Sequence, residues 1–319
     1  MNKALRVDRH YDKLKLENGT DLFISHISRI ISFSDSSLLI LDGKKREIFI
    51  INKDFKIQSK INFQNNEYFF NGRIRDIYFL GSKLFMVDES CLIKIYDLFS
   101  GELNKVKIND SQNWKSSTFP NNLIITLDME IISSLFPVKL ALQDSVVLGY
   151  KMDQNGNVIT IYKVDLKSLD YNDFFIKYQE RPYLEKSFIS KIDENKIIFC
   201  TQYSRKAFIF NTNGILEKTF DLKVSESEWA EPHKDKLGFF AYPVNRSPLE
   251  VENGIVFQVV REGNNKNPRI VEYNITLSTN RIYQIEQYIY GWGFLLAKNG
   301  SNFILCNDEE PIIYILKYF

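Results

Sequence analysis

The 319-residue sequence lacks net charge, long apolar runs and an excess of glycine or proline. Its 41 Lys and Arg residues balance 40 Asp and Glu residues and leave a net charge of +1. Because no long-range field of one sign results, we do not expect nucleic acid or an anionic membrane surface as a partner. No segment approaches roughly 18 uninterrupted apolar residues, so we expect no membrane span. Only 14 Gly and 8 Pro are present, which argues against a disordered chain.

Cysteine is also scarce, and the 3 cysteines form no CxxC pair. Cys200 and Cys306 each end an apolar run, so we predict that both are small buried hydrophobic side chains. The N-terminus carries charges every few residues and has no apolar core, so it does not resemble a signal peptide. We expect a cytoplasmic monomer, or an exported or lipid-anchored protein if a leader has been removed.

Apolar and aromatic residues are abundant, at 44% and 14%, with 25 Phe and 17 Tyr, as expected of a β-rich protein. One hairpin pattern, LLILDGKKREIFIIN at 38–52, recurs along the chain. Each copy of its second run follows another apolar run. The copies are spaced by 45, 68, 46, 63 and 43 residues and end at Asn52, Asp97, Asp165, Asn211, Asn274 and Lys317.

A repeat of this length is typical of β-propeller blades, so we predict one all-β domain over 1–319, a six-bladed β-propeller with four-stranded antiparallel blades. The alternative is a generic all-β sandwich. The last repeat supplies only three strand candidates, so we expect the N-terminal strand, within 3–17, to pair in the last blade and close the ring. The predicted blades cover 20–63, 73–108, 136–178, 187–222, 237–286 and 288–319.

Residues 20–108 resemble bacterial six-bladed β-propeller proteins of the NHL-repeat-like and TolB-like kind. The resemblance lies in two strand, Asp, turn, strand units, LLILDGKKREIFIINKDFKIQSKI and KLFMVDESCLIKIYDLFSGELNKVKI, with Glu67 and Tyr68 between them. Members of that family often have Gly-Pro-Gly-Glu-Tyr at this point, whereas this chain reads NFQNNEYF. The resemblance implies the fold and no shared catalytic set, and it implies that many members are exported or lipid-anchored.

Loop length predicts the binding face. Turns between the second and third predicted strands, such as 43–47, share one face with the links between blades, such as 64–72, and both are long. We expect a protein or peptide partner there. Aromatic and charged residues in these loops are typical of interface anchors, and the candidates are Trp114, Arg181, Tyr183, Tyr203, Arg205, Trp229 and His233. Alternatively, Trp114 and Trp229 pin long loops, and Trp292 packs in the core.

Basic residues begin several of the predicted innermost strands. If their charged ends point into the central channel, they would bind a small anion such as a carboxylate or phosphate. The alternative is that they form ordinary salt bridges to Asp76, Asp193 and their neighbours. The candidates are Arg29, Arg73, Arg75, Lys139 and Lys191.

Catalytic signals are weak, because HExxH, GxSxG, Walker and Rossmann patterns are all missing. His233 lies between Glu231 and Asp235, but no nucleophile is identifiable, and residues 153–157 suit a hairpin turn better than a calcium loop. The sequence favours a non-enzymatic binding scaffold without a cofactor. Two alternatives remain: a lactonase- or lyase-type enzyme with a divalent metal such as Ca²⁺ in the channel, and a small-anion binder at a basic channel mouth.

Overall fold

A computed structural model of the protein describes residues 3–11, 14–15, 21–34, 37–52, 54–63, 70, 72–90, 92–107, 119–141, 145–169, 186–202, 204–222, 233–234, 240–241, 244–262, 267–289, 293–307 and 311–318. The chain divides into two compact units, one formed by Met1–Asp76 with Asn245–Phe319 and the other by Ile77–Val244. Across these ranges no helix is long and apolar enough to cross a membrane.

Strands account for almost all of the described structure. The first half of the chain contains β1 (Lys3–Tyr11), β2 (Leu14–Lys15), β3 (Asp21–Leu22), β4 (Ile27–Ser34), β5 (Ser37–Asp42), β6 (Glu47–Asn52), β7 (Ile57–Asn62), β8 (Asp76–Leu80), β9 (Lys83–Val87), β10 (Leu92–Asp97), β11 (Leu103–Lys107), β12 (Phe119–Ile125), β13 (Ile131–Ala141), β14 (Ser145–Met152) and β15 (Val158–Asp165). A short 3-10 helix follows at Leu166–Ser168.

The second half contains β16 (Ser187–Lys191), β17 (Lys196–Thr201), β18 (Lys206–Asn211), β19 (Leu216–Asp221), β20 (His233–Lys234), β21 (Phe240–Ala241), β22 (Val244–Arg246), β23 (Glu250–Glu252), β24 (Ile255–Glu262), β25 (Arg269–Asn274), β26 (Thr279–Ile285), β27 (Phe294–Asn299), β28 (Asn302–Asn307) and β29 (Ile313–Tyr318).

Four sheets consist of four antiparallel strands whose spatial order follows the chain, and this meander is the architecture of a β-propeller blade. They are β4 to β7, β8 to β11, β12 to β15 and β16 to β19. The predicted four-stranded antiparallel blades are therefore confirmed for these sheets. In the second unit, one apolar cluster joins the sheets β8 to β11 and β12 to β15, and another joins β12 to β15 and β16 to β19.

The prediction of six blades is wrong, because the remaining large sheet has nine strands. The N-terminal strand does pair with the C-terminal strand, antiparallel from Leu5 opposite Tyr318 to Tyr11 opposite Ile313. It also pairs in parallel with β26, with Lys3 opposite Tyr283, and Glu286 N donates to Leu5 O at 3.1 Å. Since β1 has partners on both sides, it fuses β24 to β26 and β27 to β29 into one sheet instead of completing a separate blade.

The third predicted blade begins too late. Its sheet starts with β12, inside a stretch that loop length predicts to be a long link, and the predicted fourth strand at 174–178 lies outside the described residues. The turn that joins β12 to β13 contains neither Gly nor Pro. Met129 instead adopts a positive φ of 63°, and the Thr126 Oγ1 accepts from Glu130 N at 3.1 Å. Because the turn lacks Gly and Pro, the hairpin is hard to recognise in the sequence.

The fifth predicted blade is also assigned incorrectly at its start. Within its predicted first residues, the described pair Phe240–Ala241 belongs to a hairpin with His233–Lys234 and not to the sheet of β24. On the side away from β25, β24 pairs with β22 and β23. These two strands are each only 3 residues long.

The residue that ends most copies of the repeat shapes the chain that follows it. In four copies a turn follows, and after Asp165, which ends the fourth strand of its sheet, the 3-10 helix follows. Side-chain oxygens accept hydrogen bonds from backbone N–H groups two to four residues ahead, as Asn and Asp do in turns. The bonds are Asn52 to Asp54 N (3.0 Å) and Lys56 N (3.0 Å), Asp97 to Phe99 N (2.9 Å), Asp165 to Lys167 N (2.9 Å), Asn211 to Asn213 N (3.1 Å) and Ile215 N (3.0 Å), and Asn274 to Leu277 N (2.8 Å). These bonds explain the recurring final residue of the sequence repeat.

Close packing in the core places specific demands on the sequence. Gly149 on β14 leaves room for Phe199, since an added Cβ would lie 2.7 Å from that ring and 2.4 Å from Ser133 O. The Phe199 ring in turn packs 5.1 Å from the ring of Tyr162, between centroids. Cys200 and Cys306 are fully buried, which confirms their predicted role as small hydrophobic side chains.

One buried ion pair stabilises the second sheet. Asp88 follows β9 and pairs with Lys94 on β10, and both side chains are almost inaccessible. Asp88 Oδ1 also accepts from Ser90 N at 2.8 Å, and Lys94 Nζ donates to Ser90 Oγ at 2.9 Å. Because both charged groups are buried, the attraction between them must offset the free energy of removing each from water.

We expect Lys94→Met to lower the free energy of unfolding by about 3 kcal/mol or more, because it leaves the Asp88 carboxylate buried without its cation. The double variant Asp88→Asn with Lys94→Met should recover much of that loss. Urea denaturation measures both. Lys107→Ala, at an exposed position of the same sheet, is the control. Equal stability of Lys94→Met and the unsubstituted protein would contradict this account.

Candidate functional site

Most of the predicted binding residues lie outside the described residues: Trp114, Arg181, Tyr183, Tyr203 and Trp229, with Trp292. Arg205 is half-buried just before β18, and its carbonyl accepts a hydrogen bond from Leu222 N. His233 lies on β20, opposite Ala241. The predicted aromatic and arginine cluster therefore stays a prediction.

The predicted channel residues divide between the two units. Lys139 lies on β13, the second strand of its sheet and not the first, because that sheet begins at β12. Lys191 ends β16 and pairs with Glu194 at 2.6 Å, which is the salt-bridge alternative. Arg29 lies on β4, while Arg73 and Arg75 precede β8 instead of lying on it. These three arginines belong to the same compact unit, and two segments of that unit meet around them.

The first segment is the turn between β5 and β6. Its geometry depends on Asp42, whose fully buried carboxylate accepts from Ser25 N at 2.6 Å, Ser25 Oγ at 2.7 Å and Lys45 N at 3.0 Å. Gly43 N donates to His26 O at 3.2 Å, which ties the turn to the chain that enters β4. The backbone of the turn is therefore fixed from inside the protein, and Lys44 is left exposed at its tip.

The second segment, 72–76, packs directly on this turn. Ile74 N donates to Gly43 O at 3.0 Å, and Arg46 Nε donates to Gly72 O at 3.2 Å. Gly43 has no space for a side chain, since its Cβ would lie 2.0 Å from Ile74 O and 2.1 Å from Ser28 Oγ. Ile74 is fully buried and anchors the segment, so the turn and the segment form one continuous surface.

We name this surface the basic surface, because its charged side chains are cationic: Lys44, Lys45, Arg46, Arg73 and Arg75. Two of its arginines have defined orientations. The Arg73 Nη1 lies 3.2 Å from the His26 Nε2, which accepts the hydrogen bond when the ring is neutral. The Arg46 guanidinium lies 5.9 Å from the centroid of the Phe70 ring, a cation–π distance.

Two described acidic residues beside the basic surface have partners inside the protein. Glu47 is buried and pairs with Lys60 at 2.6 Å. Asp76, with a side chain only 1% exposed, pairs with Arg29 at 3.1 Å. Lys44 makes no ion pair or hydrogen bond with any described residue. The basic surface therefore concentrates positive charge on a chain whose net charge is only +1.

A half-buried carboxyl group interacts with Arg29. Glu250 on β23 faces Arg29 on β4, and its neighbour Glu252 pairs with Lys298 on β27. Burial raises the pKa of Glu250 to about 7, the Arg29 guanidinium opposes this shift, and the Glu252 carboxylate adds to it. Arg29 therefore interacts with two carboxyl groups, those of Asp76 and Glu250. The net effect leaves the pKa of Glu250 at about 7.

Sequence reasoning identifies Arg73 and Arg75 and places the 43–47 turn and the 64–72 link on one face. It misses the meeting of two basic runs, Lys44 to Arg46 and Arg73 to Arg75, although both are visible in the sequence. It also misses Glu250 and Glu252, because their strand is short and follows a proline-containing loop. Among the described residues, no three His, Cys, Asp or Glu side chains are arranged to hold a metal ion.

The four-stranded meanders place the protein in the β-propeller class of all-β proteins. No protein-family model matches the sequence, and no curated protein matches it either. The chain is similar to a solved streptogramin B lyase structure, with 13% identity and a TM-score of 0.48 over 97% of this chain and 98% of that one. It is also similar to the WD40 β-propeller domain of Doa1, with 10% identity and a TM-score of 0.49 over 98% of this chain and 97% of that one.

Gly43→Ala tests the packing of the basic surface. The added Cβ must push Ile74 or Ser28 away, so we expect the free energy of unfolding to fall by about 1–3 kcal/mol beyond the control. The control is Gly254→Ala in the same unit, where φ is +72° but nothing lies within 4 Å of the new Cβ. Urea denaturation measures both variants. A smaller loss for Gly43→Ala than for Gly254→Ala would contradict the close approach.

Glu250→Gln tests the half-buried carboxyl group. Between about pH 4.5 and pH 7, the folded protein keeps a proton on Glu250 that the unfolded chain has lost, so the contribution of Glu250 to stability falls as the pH rises. The variant should gain roughly 2–3 kcal/mol relative to the unsubstituted protein between pH 4.5 and pH 8. Denaturant titrations across this range measure the gain, with exposed Glu102→Gln as the control. A gain independent of pH would contradict the raised pKa.

Proposed function

We propose that the protein is a non-enzymatic binding scaffold that recognises a protein or peptide partner at the basic surface. The observation that supports this proposal is the junction between the β5 to β6 turn and the 72–76 segment. Hydrogen bonds from Ile74 N to Gly43 O and from Arg46 Nε to Gly72 O fix the two backbones to each other. Loops held on a rigid sheet are where binding residues concentrate.

The exposed and buried residues of the junction have separate roles. Asp42 and Ile74 face inward and hold the backbone, whereas Lys44 and Arg73 are exposed. A surface whose backbone is already ordered loses little conformational entropy when a partner binds. This arrangement suits recognition by side chains that change little on binding.

A second set of candidate binding residues comes from the sequence alone. The repeat pattern predicts that they lie in or beside long loops of the other compact unit: Trp114, Arg181, Tyr183, Tyr203, Arg205, Trp229 and His233. Aromatic side chains in such loops would supply apolar contacts to a partner. We also propose that the protein is related to the NHL-repeat-like and TolB-like propellers.

A small anion is the second candidate ligand, because Arg29, Arg73 and Arg75 lie in the same compact unit. Arg29 is already paired with Asp76, however, and Lys191 with Glu194. Among the predicted channel residues, these two are therefore committed to partners inside the protein. The exposed basic surface is the better site for a larger ligand, because it is open to contacts from a chain segment.

Peptide display tests the proposed function. A random peptide library is selected on immobilised protein, on the Lys44→Ala, Arg73→Ala double variant, and on Lys163→Ala, which removes an exposed lysine from β15 in the other unit. We expect peptides that are enriched on the unsubstituted protein and on Lys163→Ala but not on the double variant. Thermal melting checks that all three proteins are folded.

Two outcomes would contradict the proposal. In the first, no peptide is enriched above the bare support. In the second, the same peptides are enriched on all three proteins, which would place the binding site elsewhere.

A further inference from the structure

We infer that the partner presents an acidic segment, a run of chain rich in Asp and Glu, to the basic surface. This inference rests on the proposed function and specifies the chemistry of its ligand. It follows from the charge of the exposed side chains, from their orientation, and from the limited extent of the surface.

Charge separation across the junction is the first argument. Among the described residues, the carboxylates in and beside its two segments are buried and engaged: Asp42 by Ser25 and Lys45 N, Glu47 by Lys60, and Asp76 by Arg29. The cations Lys44 and Arg73 are exposed on the outside of the same backbone. A partner without carboxylates that covered this surface would remove these charges from water and offer no opposite charge in return, which is unfavourable.

Orientation of the arginines is the second argument. Arg73 is held by the His26 ring at 3.2 Å, and Arg46 is held by its hydrogen bond to Gly72 O and by the Phe70 ring. A guanidinium that is already positioned presents paired N–H donors in the geometry of a carboxylate. Lys44 adds an exposed charge at the tip of the turn, suited to a second acidic side chain.

The size of the surface is the third argument, and it favours an acidic peptide over nucleic acid. Proteins that bind nucleic acid through the backbone neutralise many phosphates, about 6–10 in well-studied cases, and usually carry a broad positive field. Here the net charge of the chain is +1, and the basic surface consists of five cations from one turn and one short segment. A few carboxylates match that number of cations.

Fluorescence anisotropy with defined probes tests the inference on the full-length protein. The probes are a labelled Glu- and Asp-rich peptide, the same peptide with Gln and Asn at those positions, and a single-stranded oligonucleotide of similar length. We expect the acidic peptide to bind at least about tenfold more tightly than the neutral one, and binding to weaken strongly between about 50 and 500 mM NaCl. Lys44→Ala with Arg73→Ala should weaken binding by about tenfold or more, and Lys163→Ala should not change it.

The acidic partner and the binding scaffold can fail separately in these experiments. If peptide display selects peptides that depend on Lys44 and Arg73 but carry no acidic residues, the acidic partner is wrong and the binding scaffold stands. Tighter binding of the oligonucleotide than of the acidic peptide would overturn the inference in favour of nucleic acid. Equal affinity for the acidic and neutral peptides would also overturn it. Full competition by inorganic phosphate at low concentration would show a small-anion site instead.

Discussion

The structure depends on side-chain oxygens that replace backbone partners where strands end. Asn52, Asp97, Asn211 and Asn274 each accept from backbone N–H groups of the turn that follows, so the turn closes in one conformation. A fixed turn sets the register of the two strands it joins, and the register decides which side chains face the core. The last copy of the repeat ends in Lys317, which instead forms an ion pair with Asp8 on the N-terminal strand at 2.9 Å.

The N-terminal strand shows how an edge is removed at the level of the backbone. It bonds to β29 on one side and to β26 on the other, so the strand groups that flank it do not end in open edges there. Because β1 pairs with β26 as well as with β29, β27 to β29 belong to a nine-stranded sheet and do not form a separate final blade. Hydrophobic pattern alone cannot predict this, because the parallel contact with β26 spans only Lys3 to Leu5.

The blade meander could be predicted from the sequence around 38–62 and 187–221, where the strand runs and their turns are both distinct. The prediction failed where Met129 turns the chain with a positive φ and without Gly or Pro, and where Val244–Arg246 and Glu250–Glu252 form strands too short to show alternation. At the candidate site, the basic residues could be found but not their contacts. The bond from Ile74 N to Gly43 O joins the β5 to β6 turn to the segment before β8, and local sequence carries no signal for it.

Equivalent aspartates in two successive sheets are compensated in different ways, and this difference leaves cationic side chains exposed at the basic surface. Asp42 and Asp88 occupy the same place after the second strand of successive sheets, and both are fully buried. Asp88 forms an ion pair with Lys94 on β10, so the positive charge of Lys94 compensates the Asp88 carboxylate. Asp42 is satisfied by Ser25 and by the backbone N–H of Lys45, so the side chains of Lys44 and Lys45 are not needed to compensate it. The positive charge of Lys44 in the turn after β5 is therefore exposed to solvent, whereas the positive charge of Lys94, beyond the turn after β9, is buried against Asp88.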